Sequence, residues 1–250
     1  MGFRRELSAL LLFGVAFGYV EAAVVVYLRT IDEPARRHAR PERSADDVFP
    51  LSQLSDWRQS GLEPVCRPLV VTELAREFAT LVMLVAVALA HARNVRQWFA
   101  GFMIAFGMWD IFYYVFLKVL IGWPASLWTW DILFGLPVAW AGPVITPVLV
   151  AAERTLGGSL ILWSEAAGAP VRFATGHWAA ILGGGLVVVT AFCWDFRNIA
   201  AGGMPNPFNW PLFILGNLLG SAGFLHAWTR RKPAPRPAMP TMAASGGRIA

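Results

Sequence analysis

Residues 97–121 read QWFAGFMIAFGMWDIFYYVFLKVLI, a run of apolar and aromatic residues interrupted by only two charged side chains, Asp110 and Lys118. A helix of this length rises by about 37 Å, which exceeds the roughly 30 Å of a bilayer's hydrocarbon core. The stretch therefore predicts a transmembrane helix, and it places a carboxylate near the middle of that helix.

Comparable apolar runs occur along most of the chain, each long enough to cross a bilayer. They predict six spans, at 6–28, 69–91, 97–121, 125–152, 178–196 and 210–229. The sequence thus predicts an all-α integral membrane protein with a single transmembrane domain over residues 1–231. We expect an outer loop over 29–68 and a disordered cytoplasmic tail over 232–250, which is rich in Pro, Ala, Ser and Gly.

The composition agrees with a membrane protein. Charged residues make up 15% of the chain and hydrophobic residues 56%, with a mean hydropathy of +0.52. A soluble domain carries about 25% charged residues. The net charge of +5 could suggest a nucleic-acid partner, but the basic residues lie in short segments between apolar runs. This distribution is typical of membrane topology, so we expect the lipid bilayer as partner and no nucleic acid.

The first run also resembles a secretory signal peptide, because Arg4 and Arg5 precede it and Val20-Glu21-Ala22 loosely resembles a cleavage site. The apolar residues continue beyond that point to Leu28. We therefore favour an uncleaved first helix over a removed leader.

Orientation follows from the positive-inside rule. With a cytoplasmic N-terminus, the inner segments carry eleven basic residues and three acidic ones, whereas the outer loop 29–68 carries seven of each. The inner basic residues are Arg4, Arg5, Arg93, Arg96, Arg154, Arg172, Arg230, Arg231, Lys232, Arg236 and Arg248. Both termini are therefore predicted to be cytoplasmic.

This topology collects nearly all membrane-embedded charges in the outer half of the bilayer. A charge at the centre of a span costs about 2.5–3.5 kcal/mol, so such residues normally face the bundle interior and carry function. The candidate residues of a polar pocket are Glu21, Glu73, Arg76, Glu77, Asp110, Tyr113, Tyr114, Lys118, Asp131 and Asp195. The acids outnumber the bases in this set, which favours protonated carboxylates or a bound cation.

Three of these carboxylates form the candidate metal site. Glu73 and Glu77 lie one helical turn apart, on the same face as Arg76 in the first outer turns of the second span, and Asp110 is predicted near the middle of the third span. Carboxylate oxygens favour Mg²⁺, Ca²⁺ or Mn²⁺. The alternative is an intrahelical ion network of Glu73, Arg76 and Glu77 that helps helices to pack. No motif for another cofactor is evident.

An internal repeat is a further hypothesis. Ala-Phe precedes an acid in the first, third and fifth spans, at Glu21, Asp110 and Asp195. Three repeated helical hairpins would explain the pattern and would place the three acids at similar depths. Chance similarity among apolar spans is the alternative.

Glycines predict where helices approach closely. Gly183-Gly184-Gly185 lies in the fifth predicted span, and Gly216, Gly220 and Gly223 recur along one face of the sixth. Small residues let helix backbones come together in a membrane, so we expect these glycines at helix interfaces.

The strings GYVEAAVVVYLR at 18–29 and WDIFYY at 109–114 resemble an uncharacterised family of bacterial multi-pass membrane proteins. The resemblance covers the first four predicted spans and implies a location in the bacterial inner membrane. It brings no activity with it, so no functional residue is transferred.

Three functions remain open at this stage. The first is a carrier, with the carboxylates binding a cation or small polar substrate or shuttling protons. The second is an enzyme acting on a lipid or lipid-linked substrate, with carboxylates as acid, base or metal ligands. The third is a structural or assembly subunit in which the charges are ion pairs only. The sequence leaves the substrate, the reaction and the oligomeric state open.

Overall fold

Helices dominate the structure, a computed structural model that describes residues 2–39, 41–43, 48–49 and 52–231. The predicted disordered tail, 232–250, lies outside these described residues. In chain order the elements are α1 (Phe3–Ala39), α2 (Leu54–Gln59), α3 (Glu63–His91), α4 (Val95–Ile121), β1 (Trp130–Phe134), β2 (Trp140–Pro143), α5 (Ile145–Ala166), α6 (Thr175–Cys193), α7 (Phe196–Ala200) and α8 (Trp210–Thr229).

Five helices are long and apolar enough to cross a membrane, namely α1, α4, α5, α6 and α8. The prediction of a helical membrane protein is therefore confirmed in this form. The helix α3 has 29 residues and corresponds to the second predicted span, but Glu73, Arg76 and Glu77 lie close together on it. Its crossing of the membrane stays a prediction.

The predicted fourth span, 125–152, is corrected by the structure. Its first part forms an antiparallel hairpin in which Trp130 pairs with Pro143 and Asp131 with Gly142. Pro137 cannot donate a hydrogen bond within a helix, and the hairpin satisfies the backbone groups instead. The helix α5 begins only at Ile145 and continues to Ala166, through a stretch that the sequence predicted as an inner loop.

The outer loop 29–68 is also shorter than predicted. The helix α1 continues to Ala39 and has 37 residues, so it rises by about 55 Å and is longer than a bilayer core is thick. Arg37 donates to Glu33 one turn earlier at 2.7 Å, a spacing that supports helix in this charged extension. The short α2 and the start of α3 also lie within the segment that was predicted as a loop.

Close helix contacts join α1, α4 and α5 into one body. A Cβ atom at Gly14 of α1 would lie 2.9 Å from the carbonyl oxygen of Ala105 in α4, and one at Gly18 would lie 2.8 Å from that of Trp109. A side chain at either position would force the helices apart, so glycine is required there.

The helices α6 and α8 form a second pair, also through glycine. A Cβ atom at Gly184 would lie 2.5 Å from the carbonyl oxygen of Gly216 and 2.6 Å from the backbone nitrogen of Gly220. Gly183 and Gly185 face open space. Of the three neighbouring glycines predicted at a helix interface, only Gly184 lies there. The C-terminal half of α6 packs on β2, where Val188 and Phe192 meet Trp140.

One hydrophobic cluster fixes which ends of the helices meet. Leu7 of α1, Ala100 of α4, Ile161 of α5 and Phe224 of α8 pack together. The first turns of α1 and the last turns of α8 therefore lie at the same end of the bundle.

Candidate functional site

An ion network joins α1 to α3. The guanidinium of Arg76 donates to Glu21 of α1 at 2.8 Å and to Glu73 of its own helix at 2.8 Å, and all three side chains are largely buried. A largely buried arginine thus meets two carboxylates. The alternative interpretation of an ion network is supported for Glu73 and Arg76, with Glu21 in place of Glu77.

Glu77 has a different role, because it holds the hairpin. Its two carboxylate oxygens accept from the backbone N–H of Gly135, at 3.0 and 3.2 Å. Gly135 lies in the turn between β1 and β2, where a Cβ atom would come within 3.0 Å of that carboxylate and 3.2 Å of Leu74. A helix side chain therefore anchors the irregular segment that the prolines create.

Tyr114 and Asp131 form a buried polar pair. The Tyr114 hydroxyl donates to Asp131 at 3.0 Å, and Tyr113 packs edge-on against Tyr114 with ring centroids 4.8 Å apart. Arg29 of α1 lies within electrostatic range of Asp131 and stacks over the Trp123 ring at 4.1 Å. Arg29, Tyr114 and Asp131 therefore lie where α1, α4 and the hairpin meet.

Among the candidate pocket acids, all of which lie in the described part of the chain, Asp110 is the one without a direct partner. It lies midway along α4, within electrostatic range of Asp131 and Glu21, yet forms no hydrogen bond or ion pair with any described residue. The indole nitrogen of the neighbouring Trp109 is buried and also lacks a partner, so it does not orient the carboxylate. The accessible part of Asp110 faces a cavity.

Two predicted pocket residues lie elsewhere. Lys118 donates to the carbonyl oxygens of Gly122 and Pro124, at 2.8 and 2.9 Å, and closes the end of α4. Asp195 follows the end of α6 and accepts from Asn206 and Asn198. Burial raises the pKa of Asp195, but these hydrogen bonds outweigh it, and the pKa lies below the ordinary value.

Asp195 also bears on the predicted repeat. It lies beyond the last residue of α6, Cys193, whereas Asp110 lies well before the last residue of α4, Ile121. The two acids are therefore at different depths, and the three-hairpin repeat stays unconfirmed.

A cavity of about 830 Å³ lies between α6 and the surface formed by α3, α4, the hairpin and α5. Its walls come from α3, α4, the hairpin, α5 and α6, and they are mostly aromatic and aliphatic. Its lining includes Phe78, Phe102, Leu133, Trp140 and Val189. Among the described residues, Asp110 and Arg154 are the two charged side chains that line it. The volume lies within the range of pockets that bind small organic ligands.

The cavity opens sideways between α3 and α6. Phe78 of α3 and Leu182 and Leu186 of α6 line the cavity, and their exposed fractions are 63%, 62% and 68%. Apolar side chains at such an opening favour entry from the hydrocarbon of a bilayer rather than from water.

Arg154 is the site residue that the sequence reasoning missed. It was assigned to an inner segment because the predicted fourth span ended before Glu153 and Arg154. The apolar residues that follow, up to Trp163, and the small pair Gly157-Gly158 were the signal that the helix continues.

The predicted metal ligands are not brought together as one cluster. Glu73 pairs with Arg76, Glu77 binds the hairpin and Asp110 faces the cavity. Within the part of the chain that the structure describes, no group of three or more His, Cys, Asp or Glu is placed to hold a metal ion. A bound divalent cation remains a prediction.

Comparison with protein-family models, curated proteins and solved structures finds no match for this chain. The resemblance to a bacterial membrane-protein family therefore gains no support.

Proposed function

We propose that the protein binds a lipid or lipid-linked molecule that enters its cavity from the bilayer. The cavity of about 830 Å³, with apolar walls and a side opening, is the observation that carries this proposal. Apolar walls of this kind suit a hydrocarbon or isoprenoid chain. The charged side chains Asp110 and Arg154 would interact with the polar part of the ligand.

The proposal includes a topology of six crossings with α3 as the second, and with both termini in the cytoplasm of a bacterial cell. Five long apolar helices and the shared end of α1 and α8 support it. The loops 92–94 and 167–174 would be cytoplasmic, and they and the adjacent helix ends carry Arg93, Arg96 and Arg172.

Two neighbouring glycines offer a matched test of ligand binding. Gly185 lines the cavity and Gly183 does not, although both face open space. We expect Gly185→Trp to fill the cavity and to lower the affinity for a fluorescent single-chain lipid by about tenfold or more, because one indole occupies much of the ligand's space. Gly183→Trp should bind like the wild type. Equal binding by both variants would contradict the proposal.

An enzyme acting on a lipid or lipid-linked substrate would use the same cavity. Mass spectrometry of the molecule recovered after incubation distinguishes the two roles, since a carrier returns its ligand unchanged. Covalent modification that is lost in Gly185→Trp would favour the enzyme.

A proton-coupled carrier is the second candidate, and the position of Asp110 favours it. This carboxylate lies midway along a span, faces the cavity and has no direct partner among the described residues. Such a residue is suited to bind and release a proton. Asp110→Asn should abolish proton movement into liposomes that contain the protein, as followed with a pH-sensitive dye, while lipid-probe binding continues.

The predicted divalent cation has a direct test in elemental analysis of the purified protein. Stoichiometric metal that is lost in Glu73→Gln/Glu77→Gln would establish a metal site that involves these carboxylates. If neither the wild type nor the double variant contains metal, the role of Glu73 is its ion pair with Arg76. Glu73 would then have a structural function.

A further inference from the structure

Arg154 is a cation in the middle of a membrane-spanning helix. It lies near the centre of α5, far from both ends, Ile145 and Ala166. A guanidinium keeps its proton in proteins, so it cannot relieve its burial by becoming neutral. A charge at this depth costs several kcal/mol unless a partner or a polar cavity accompanies it.

The nearest acids do not supply that partner. No carboxylate oxygen of any described residue lies within 4.0 Å of the Arg154 guanidinium. The adjacent Glu153 lies within electrostatic range, but it is exposed and its carboxylate hydrogen-bonds to Ser221 of α8. The positive charge of Arg154 is thus only partly balanced by the protein.

Asp110 forms no ion pair with Arg154 either, so the guanidinium is free to bind a ligand. Gly107 of α4 packs against Ala151 and Thr155 of α5, so Asp110 lies about one helical turn further along the bundle than Arg154. The two side chains form no ion pair, and both face the cavity. An anion that enters would therefore meet a guanidinium in a largely apolar surrounding, where charge-assisted hydrogen bonds are strong.

We infer that the cavity binds an anionic amphiphile, a single apolar chain whose carboxylate or phosphate is held by the Arg154 guanidinium. The inference rests on the proposed function, since it names the class of lipid that the cavity takes. The apolar wall binds the chain, and the anion completes the charge balance that the protein leaves open. A planar guanidinium can donate two parallel hydrogen bonds to either oxyanion.

The test compares probes that share one chain and differ in the head group. A fluorescent fatty acid, the corresponding alcohol and the corresponding alkyl phosphate are titrated into detergent-solubilised wild-type protein. We expect both anions to bind about tenfold or more tightly than the alcohol, which is the range for a hydrogen bond to a charged group. If the fatty acid binds more tightly than the alkyl phosphate, the ligand belongs to the fatty acids. If the alkyl phosphate binds more tightly, the ligand belongs to the phospholipids or prenyl phosphates.

Variants of Arg154 distinguish the effect of its charge on binding from an effect on folding. Arg154→Gln should bind all three probes with the affinity of the alcohol, and Arg154→Lys should retain part of the preference for anions. Arg172→Gln is the control, because it removes an exposed arginine from the loop between α5 and α6. Gel filtration and circular dichroism verify that each variant is folded.

The outcomes distinguish this inference from the proposed function. If the alcohol binds wild-type protein as tightly as the anions, or if Arg154→Gln keeps the preference for anions, the inference is overturned while lipid binding stands. If no probe binds, the proposed function fails as well.

Discussion

At the residue scale, the sequence identified most of the polar side chains but not their partners. Glu21 was predicted as part of a pocket, and the structure pairs it with Arg76 of another helix. Glu73 and Glu77 are one turn apart and looked equivalent, but one joins the ion network and the other binds Gly135. Helical spacing predicts which face a residue shares, whereas its partner depends on what packs against that face.

The first prediction concerns the ion network. Arg76→Gln would leave Glu21 and Glu73 without their counter-charge in a largely buried place, and we expect it to lower the free energy of unfolding by about 1–3 kcal/mol. Thermal unfolding in detergent, followed by circular dichroism, measures the change.

The control is Arg58→Gln, which removes an exposed ion pair with Glu63 on the loop and should have an effect near zero. An equal loss in both variants would show that the network of Arg76 contributes no more than a surface pair.

The second prediction concerns Asp195, whose pKa is lowered by hydrogen bonds from Asn206 and Asn198. A lowered folded-state pKa contributes stability that is present above the ordinary value of about 3.9 and is lost as pH falls through the folded-state pKa. We therefore expect Asp195→Asn to cost about 1 kcal/mol at neutral pH and almost nothing in strong acid.

Thermal unfolding at neutral and acidic pH tests this dependence, with Glu42→Gln, an exposed carboxylate, as control. A penalty for Asp195→Asn that does not change with pH would show that the carboxylate charge is not involved.

At the scale of elements, long apolar runs predicted the helices well, and prolines and charges caused the errors. Residues 125–152 are mainly apolar and were predicted as one span, yet they form a hairpin followed by the start of α5. A hydropathy pattern records only how apolar a stretch is. The fold of a proline-rich stretch depends on whether neighbouring groups, here Glu77, satisfy its backbone.

The third prediction tests the contact of α6 with α8. Gly184→Leu places a large side chain where a Cβ atom alone would lie 2.5 Å from the Gly216 carbonyl oxygen, so the two helices must separate. We expect a loss of about 1–3 kcal/mol or failure to fold. Gly183→Leu, one residue away in open space, should be tolerated. Similar thermal stability of both variants would contradict this packing.

At the scale of the whole molecule, the helix arrangement places both ends of the helical region together and predicts an even number of crossings. The fourth prediction tests this with single cysteines at Arg172, in the proposed inner loop 167–174, and at Ala201, in the proposed outer segment 194–209. Cys66 and Cys193, neither of which is in a disulfide, are first replaced by alanine.

With a cytoplasmic N-terminus, a membrane-impermeant maleimide should label Ala201→Cys on intact spheroplasts and Arg172→Cys only after permeabilisation. The reverse pattern would invert the proposed orientation. Labelling of both positions from the outside would show that α6 does not cross the membrane.

The sequence by itself determined that the protein is helical and embedded in a membrane. A membrane span depends on the length and polarity of one continuous stretch of residues, and neighbouring segments do not change either property. It also identified Asp110 as an acidic residue midway along an apolar helix. Only the tertiary structure decided that Arg154 faces the same cavity and that Asp195 and Lys118 do not. The cavity lies between α6, which packs on α8 through Gly184 and Gly216, and the helices α4 and α5. Such a space is a property of how packed surfaces fit together, and no single stretch of residues encodes it.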